Sequence, residues 1–158
     1  MALHVVLVHP EIHWNTGNVG RTCLAADARL HLVRPLGFSL GSREVRRAGL
    51  DYWDRVAPVI WPDWTDMERA LPSLGEAFLF SADGERSLWE VTFPAPAVLV
   101  FGRESVGLPP EVRRRYADHL VRIPMAGDAV RSLNLSTAVA VAVFEAIRQH
   151  RRVVPAPG

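Results

Sequence analysis

The sequence predicts an α/β domain built on a mostly parallel sheet with helices on both faces. Short apolar runs typical of buried strands alternate with longer segments typical of helices. The 158 residues are most simply one domain, and 49% hydrophobic with 22% charged residues is ordinary for a globular protein. Neither an internal repeat nor a linker interrupts the pattern, and only the tail, residues 151–158, is expected to be loose.

The first half of the chain predicts three strands, at residues 4–8, 30–33 and 56–60. A loop over 9–17 leads into a helix over 18–28, whose inward residues are predicted to be Val19, Cys23, Leu24 and Ala26. A short basic helix is predicted over 42–48, ended by a glycine. Residues 65–68 form a capping box that opens a further helix, which fades near residue 72.

The second half predicts strands at 77–81, 97–101 and 119–123, and a helical turn over 110–116. The final helix follows the polar segment Ser132–Ser136, whose side chains can satisfy the free N–H groups at its start. It runs to Gln149 and is apolar on every face from Ala138 to Phe144. Such a helix is expected to be buried all round. The chain's own sheet covers one side, so the other side is predicted to meet a second copy in a homodimer.

Residue counts exclude several classes of site. The single cysteine, Cys23, excludes an internal disulfide framework and fits a reducing cytoplasm. All 18 basic residues are arginine, so a Schiff-base lysine and a phosphate-loop lysine are both impossible. No apolar run approaches the ~20 residues that span a bilayer. His9 and His13 have the spacing of metal ligands on a helix, but Pro10 argues against that helix, and no metal site is predicted.

Two late strands each end in a loop rich in glycine, proline and polar residues, and these loops are expected at one edge of the sheet. Open α/β sheets bind ligands at the carboxyl ends of their strands, so we expect the chemistry there. The first loop, Gly102–Pro109, resembles a nucleophile elbow but has one residue too many before Ser105. Its glycines are better explained by a backbone that a ligand approaches closely.

Other interpretations of single features remain weaker. Dinucleotide binding by an oxidoreductase is disfavoured, because no G-x-G-x-x-G follows the first strand. Trp14, in a polar segment beside Asn15, keeps a stacking role open. The basic groups at residues 43–47 and 113–115 are by default solvated helix faces. They matter for function only if they lie on the same side as the loops.

Three segments, in order, resemble the motifs of the SpoU class of SPOUT RNA 2′-O-methyltransferases. They are Asn15–Arg21, Phe101–Pro109, and Ile123–Met125 together with Ser132–Ser136. A fourth block, Arg46–Tyr52, resembles the subgroup that methylates the wobble ribose of tRNA. The resemblance runs from His4 to Gln149 and includes no additional RNA-binding domain.

The resemblance implies a Rossmann-like sheet with a deep trefoil knot near the C-terminus, the SPOUT fold. It implies S-adenosylmethionine, without a metal, held by the knot at Phe80, Gly102, Ile123, Ser132 and Leu133. Arg21 is the implied catalytic residue, with supports that orient it and the ribose: Asn15, Glu104 and Asn134. A charged arginine is a poor base, so two roles stay open. Either one deprotonation becomes possible in a dry site, or Arg21 clamps phosphate while water takes the proton.

The implied substrate is the anticodon stem-loop of tRNA, methylated on the ribose of nucleotide 34. Its phosphates are expected to meet Arg43, Arg46 and Arg47. A ribosomal RNA 2′-O-methyltransferase of the same class is the nearest alternative. A knotted RNA-binding dimer without catalysis is another, which the presence of Arg21, Glu104 and Asn134 disfavours.

Overall fold

The computed structural model describes residues 3–41, residue 43 and residues 52–150. These residues form seven strands: β1 (Leu3–Val8), β2 (Arg29–Val33), β3 (Val59–Trp61), β4 (Glu76–Phe80), β5 (Arg86–Ser87), β6 (Ala97–Phe101) and β7 (Leu120–Arg122). They also form the α-helices α1 (His13–Ala25), α2 (Trp53–Val56), α3 (Trp64–Leu74), α4 (Pro110–Arg115) and α5 (Leu135–His150). Single 3₁₀ turns cover Leu88–Glu90 and Ala117–His119.

The strands make one sheet in the order β3-β2-β1-β6-β4-β7-β5, and every pairing between them is parallel. This confirms the predicted parallel sheet. Parallel pairing places the carboxyl ends of all the strands at one edge, where the loops after β1, β4, β6 and β7 gather. None of the helices within the described residues is long and apolar enough to cross a membrane.

The sheet is buried on both faces, as the continuous apolar strands predict. Along β6, Leu99 and Phe101 face a core that includes residues of α1 and α5. Val98 and Val100 face a second core, to which α3 and α4 contribute. The alternation follows the two-residue period of a strand, and it confirms the prediction of helices on both faces.

Helix α1 corrects the predicted loop over 9–17. The helix begins at His13, five positions before the predicted start. Pro10 lies ahead of the helix and does not interrupt it, and Asn15 thereby belongs to the first turn rather than to a loop. Val19 and Cys23 are buried as predicted, but Leu24 is 36% exposed. It follows Cys23 directly, and a helix turns by about 100° per residue, which carries Leu24 off the buried face.

Three further boundaries differ from the prediction. Val56 ends helix α2 rather than starting a strand, because Ala57 adopts a left-handed conformation with φ 42°. Helix α3 is capped by Asp63, whose side chain accepts from the Asp66 N–H at 2.8 Å, and not by the box at 65–68. It continues through Pro72 to Leu74. The predicted helix over 42–48 lies outside the described residues apart from Arg43.

Within one chain, helix α5 is buried on one side only, as the sequence predicts for a single subunit. Its buried stripe contains Leu135, Val139, Ala142, Val143 and Ala146. Phe144, by contrast, is 50% exposed. The buried stripe packs against the sheet and α1, while Phe144 remains at the surface of the chain.

Candidate active site

A cavity of about 820 Å³ lies at the carboxyl edge of the central strands. Its walls come from the loops that follow β1, β4, β6 and β7, and from the first turn of α5. Its volume falls within the range of sites that bind a small molecule or cofactor. The structure thus places a cavity at the sheet edge where the sequence predicts the chemistry.

All five residues predicted to contact the cofactor line this cavity: Phe80, Gly102, Ile123, Ser132 and Leu133. Phe80 ends β4 and stacks on Phe101 at the end of β6, with ring centroids 4.7 Å apart and planes at 10°. The pair presents a flat apolar wall where two strands end. Both residues are largely buried, at 8% and 3% exposed, and they border the cavity.

The glycines of the loop after β6 are required by the path of the chain itself. A Cβ on Gly102 would lie 2.0 Å from the carbonyl carbon of Gly107. Gly107 has φ +73°, a conformation that favours glycine. The close approach at Gly102 therefore comes from the chain itself, whose backbone joins Arg103 and Gly107 in a narrow bridge.

Three of the four predicted catalytic residues line the cavity: Asn15, Glu104 and Asn134. The Asn134 side-chain amide donates to Oδ1 of Asn15 at 3.2 Å. The Asn134 oxygen accepts from the backbone N–H of Ser136 at 3.0 Å and from its hydroxyl at 2.7 Å. Asn134 therefore caps α5 and fixes the orientation of Asn15, which is 2% exposed.

The two oxygens of the Glu104 carboxylate differ in their hydrogen bonding. Oε2 accepts from the backbone N–H of Glu11 at 2.8 Å. Oε1 is buried and has no hydrogen-bond partner among the described residues. Sequence reasoning missed Glu11, because nothing in the motif pattern links it to a loop more than 90 residues later.

Arg21, the fourth predicted catalytic residue, lies on the exposed side of α1, outside the residues that line the cavity. Its guanidinium carbon stands 5.4 Å from the ring centroid of Tyr52, in cation–π range. The structure therefore brings Asn15, Glu104 and Asn134 together and places Arg21 apart from them.

The cavity is more basic than the sequence suggested. Arginines line it at four positions: Arg103, Arg113, Arg122 and Arg131. Among the lining residues, only Asp83 and Glu104 are acidic, and Asp83 lies 3.6 Å from Arg113. These arginines form no recognisable motif in the sequence, so only the fold shows that they line the same cavity.

The predicted RNA contacts are described only in part. Arg43 is exposed, whereas Arg46 and Arg47 lie outside the described residues. In the described part of the chain, no group of three or more histidine, cysteine, aspartate or glutamate side chains could hold a metal ion.

Known proteins resemble this chain over most of its length. The model of the SpoU rRNA methylase family matches residues 2–144. A tRNA (cytidine(34)-2'-O)-methyltransferase from Acidovorax is 45% identical over 154 residues, covering 96% of this chain and 94% of that protein. A solved structure from work on the 2-OH methylation of C/U34 on tRNA superposes with a TM-score of 0.88. It is 50% identical and covers 94% of this chain and 95% of the other.

A second solved structure is an AdoMet-bound rRNA methyltransferase from Sinorhizobium meliloti, with a TM-score of 0.81 and 31% identity. The match covers 96% of this chain but 57% of that one, so the relative is the longer protein. The TM-score of 0.88 over 94% of this chain shows that the fold described above is shared with a solved structure. Because the family model spans residues 2–144 and a near full-length relative is 45% identical, this chain belongs to the SpoU rRNA methylase family.

Proposed function

We propose that this protein transfers a methyl group from S-adenosylmethionine to the ribose 2′-hydroxyl of nucleotide 34 of tRNA. The observation that carries the proposal is the match to relatives of that activity over nearly the full length of both chains. The alternative, ribosomal RNA, is the substrate class of a more distant and longer relative. The greater identity and coverage favour tRNA.

The cavity fits S-adenosylmethionine, the methyl donor of the family. Its volume of about 820 Å³ admits a nucleoside-sized ligand, and the Phe80–Phe101 wall offers a surface for a base. The unpaired Glu104 Oε1 is a buried acceptor, which is costly unless a donor or a positive charge meets it. When bound, S-adenosylmethionine supplies a methyl group on a sulfonium, an electrophile that needs no metal. Phe80, Gly102, Ile123, Ser132 and Leu133 would hold it.

The protein's own task is to orient a poor nucleophile, the ribose hydroxyl, so that it can attack the methyl group as it loses its proton. Asn15 and Asn134 are locked to each other, so their remaining polar atoms are preorganised at the cavity wall. Glu104 offers Oε1 as an acceptor for a ribose hydroxyl. We assign substrate positioning to these three residues.

We assign to Arg21 the role of binding the phosphate next to the target ribose, and not that of accepting the proton. Arginine stays charged at neutral pH and is therefore a poor base. Its exposed place on α1, outside the cavity wall, suits a phosphate that extends beyond the bound ribose. Water at the cavity mouth then takes the proton, in keeping with one of the two roles that the sequence leaves open.

The enzyme is proposed to be a homodimer through α5. Phe144 on this helix is 50% exposed, and on the neighbouring α1 Trp14 is 53% and Leu24 36% exposed. Large apolar side chains on two packed helices are typical of an interface. A second copy supplies a matching apolar surface through two-fold symmetry.

The deep trefoil knot of the class is part of the proposal. Strand β7 lies between β4 and β5, and the connection from β4 to β5 passes against its backbone. A Cβ on Gly84 would lie 2.7 Å from the carbonyl carbon of Val121. Arg122 donates to the carbonyls of Gly84 and Glu85 at 3.1 and 2.6 Å. In the proposed knot, the segment carrying β7 and α5 threads the loop that this connection closes.

The RNA is proposed to be the anticodon stem-loop, presented to the protein in the cytoplasm. A loop nucleotide is unstacked and can enter a pocket, which is the usual mode of specific RNA recognition. Arg43 and the arginines at the cavity offer cations to the phosphates on either side of it. We include Arg46 and Arg47 in the same contact.

Methyl transfer to defined stem-loops tests the function. The assay uses tritiated S-adenosylmethionine and a synthetic anticodon stem-loop with cytidine at position 34. A matched stem-loop with 2′-deoxycytidine at that position lacks only the acceptor hydroxyl. We expect up to one methyl group per native stem-loop and none on the deoxy control. Label on another nucleotide, on both stem-loops, or only on ribosomal RNA fragments would refute the assignment.

A further inference from the structure

The loop after β6 is closed at its base but not at its tip. Backbone hydrogen bonds join Arg103 and Gly107 in both directions, at 3.2 and 2.9 Å. The residues between them form the tip, and Glu104 in the tip lines the cavity. The direction of the Glu104 carboxylate therefore depends on contacts from outside the loop.

Glu11, in the loop after β1, provides such contacts. Its Oε1 accepts from the hydroxyl of Ser105 and, at 3.3 Å, from the Ser105 backbone N–H. The same oxygen lies 3.6 Å from Nε of Arg103. The hydrogen bond from the Ser105 hydroxyl is the largest cause that lowers the pKa of Glu11, so the acceptor is a carboxylate at neutral pH.

The two loops exchange hydrogen bonds in both directions. While the Glu11 side chain accepts from the backbone of the tip, the Glu11 backbone N–H donates to Oε2 of Glu104 at 2.8 Å. This donor occupies one Glu104 oxygen and leaves Oε1 buried and unpaired. The Glu11 backbone thereby determines which oxygen of Glu104 remains free for a ligand, while the Glu11 side chain holds the tip that carries Glu104.

Glu11 is itself held by a third loop, the one after β2. The Gly37 N–H donates to the Pro10 carbonyl at 2.9 Å. A Cβ at position 37 would lie 2.6 Å from the Glu11 carbonyl oxygen, so a larger residue there would displace Glu11. The segment that carries Glu11 is therefore held in place by the loop after β2 as well as by its contacts with the loop after β6.

We propose that Glu11 is a positioning residue for methyl transfer, holding residues 103–105 so that Glu104 presents Oε1 to the substrate ribose. The proposal rests on the function proposed above, since it concerns the same site. Glu11 does not line the cavity, so its effect passes through Glu104 and Ser105. It has no part in moving the methyl group or the proton.

The test compares Glu11→Ala, Ser105→Ala and their double variant on the cytidine-34 stem-loop. We expect Glu11→Ala to lower kcat by about tenfold or more, since small misplacements of reacting groups are costly. KM for RNA, the affinity for S-adenosylhomocysteine and Tm should stay near the wild-type values. Glu11→Gln should restore part of kcat, because an amide oxygen still accepts from Ser105. Glu111→Ala is the matched control, an exposed glutamate in the first turn of α4.

The double variant shows whether Glu11 and Ser105 affect kcat through their shared contact or independently of each other. If Glu11 and Ser105 act as one unit, the double variant should be no slower than Glu11→Ala alone. Losses that multiply, or a wild-type kcat in Glu11→Ala, would overturn the proposal. So would a joint fall in Tm, cofactor affinity and RNA affinity, which would make Glu11 a folding residue. If the wild type methylates a nucleotide other than 34, the proposed function fails, but kcat on that nucleotide still decides the role of Glu11.

Discussion

The Asn134 side chain donates to Oδ1 of Asn15, a residue 119 positions earlier in the chain. The bond joins the first turn of α1 to the start of α5, at the wall of the cavity. Asn134 also caps α5 through Ser136, so one side chain serves both the helix and the site. The first and third motifs of the family are therefore one structural unit.

The asparagine pair should behave as a single unit in mutants. Asn134→Ala leaves Oδ1 of Asn15, a residue that is 2% exposed, without its donor, which costs about 1–3 kcal/mol. We expect a lower Tm and a large loss of methyl transfer in either single variant. The Asn15→Ala/Asn134→Ala double variant should lose less than the two single losses combined. Thermal unfolding and stem-loop methylation measure both quantities, and strictly additive losses would contradict the coupling.

Arg21→Ala should abolish methyl transfer while the affinity for S-adenosylhomocysteine changes by no more than a few-fold. The reason is geometric, because Arg21 lies on the exposed side of α1 and does not line the cavity. Calorimetry with S-adenosylhomocysteine and the stem-loop assay measure the two effects. Arg69→Ala is the control, an arginine of α3 whose side chain is 77% exposed. A large loss of cofactor binding in Arg21→Ala would show that Arg21 supports the cavity instead.

The sheet was predictable because β1 and β6 are short apolar runs buried on both faces, and no other element suits them. The start of α1 could not be predicted, because Pro10 and the polar residues after it are typical of a loop. One of these polar residues belongs to the site, since Asn15 is buried in the helix and accepts a hydrogen bond from Asn134 there. The motif residues at the cavity were found through their resemblance to a family. Glu11 and the cavity arginines carry no motif, and only the fold brings them there.

The proposed dimer can be disrupted at Phe144, which is 50% exposed in one chain. Phe144→Glu leaves the packing of the single chain nearly unchanged but buries an unpaired charge in the interface, at a cost of several kcal/mol. We expect this variant to be a folded monomer by light scattering and circular dichroism. Trp89→Glu is the control, since Trp89 is 69% exposed and lies on neither α1 nor α5. A native protein that is monomeric and active would contradict the proposal.

Stability should fall in mild acid because of His31, which is 2% exposed in β2. Burial, with smaller effects from His4 and Arg29, lowers the pKa of His31 to about 4. The Trp61 indole N–H donates to Nδ1 of His31 at 3.0 Å, which requires that nitrogen to be unprotonated. Because the folded-state pKa lies below the unfolded value of 6.5, the stabilisation is present above pH 6.5 and is lost as the pH falls towards 4.

Denaturant unfolding should therefore show a loss of about 2 kcal/mol between pH 7 and pH 5 from this group alone. Replacing His31 with leucine removes the titration and should flatten that dependence, although it also lowers stability at neutral pH. His119→Leu serves as the matched control, an exposed histidine in the 3₁₀ turn that precedes β7. An unchanged pH dependence in the leucine variant would show that another group is responsible.

Removing Arg46 and Arg47 together should weaken RNA binding and reduce its dependence on salt. Both are assigned to phosphates of the stem-loop, beside Arg43, which is exposed. Each lost phosphate contact should lower the slope of log K against log salt by about 0.7 to 0.9. Binding of the stem-loop at several salt concentrations measures the slope for the wild type and for Arg46→Ala/Arg47→Ala. Cofactor affinity should not change, since Gly102, Ser132 and the other predicted cofactor contacts lie in other loops.

Matched arginines decide whether that effect is specific to the predicted surface. Arg114→Ala/Arg115→Ala removes the same charge from α4, where Arg115 pairs with Glu68 at 3.0 Å. If the stem-loop lies across residues 43–47, this second variant should keep the wild-type slope, because its arginines bind no phosphate. Equal losses in both variants would instead indicate a general attraction to a basic protein. A loss of slope only in the α4 variant would instead assign the RNA contact to α4.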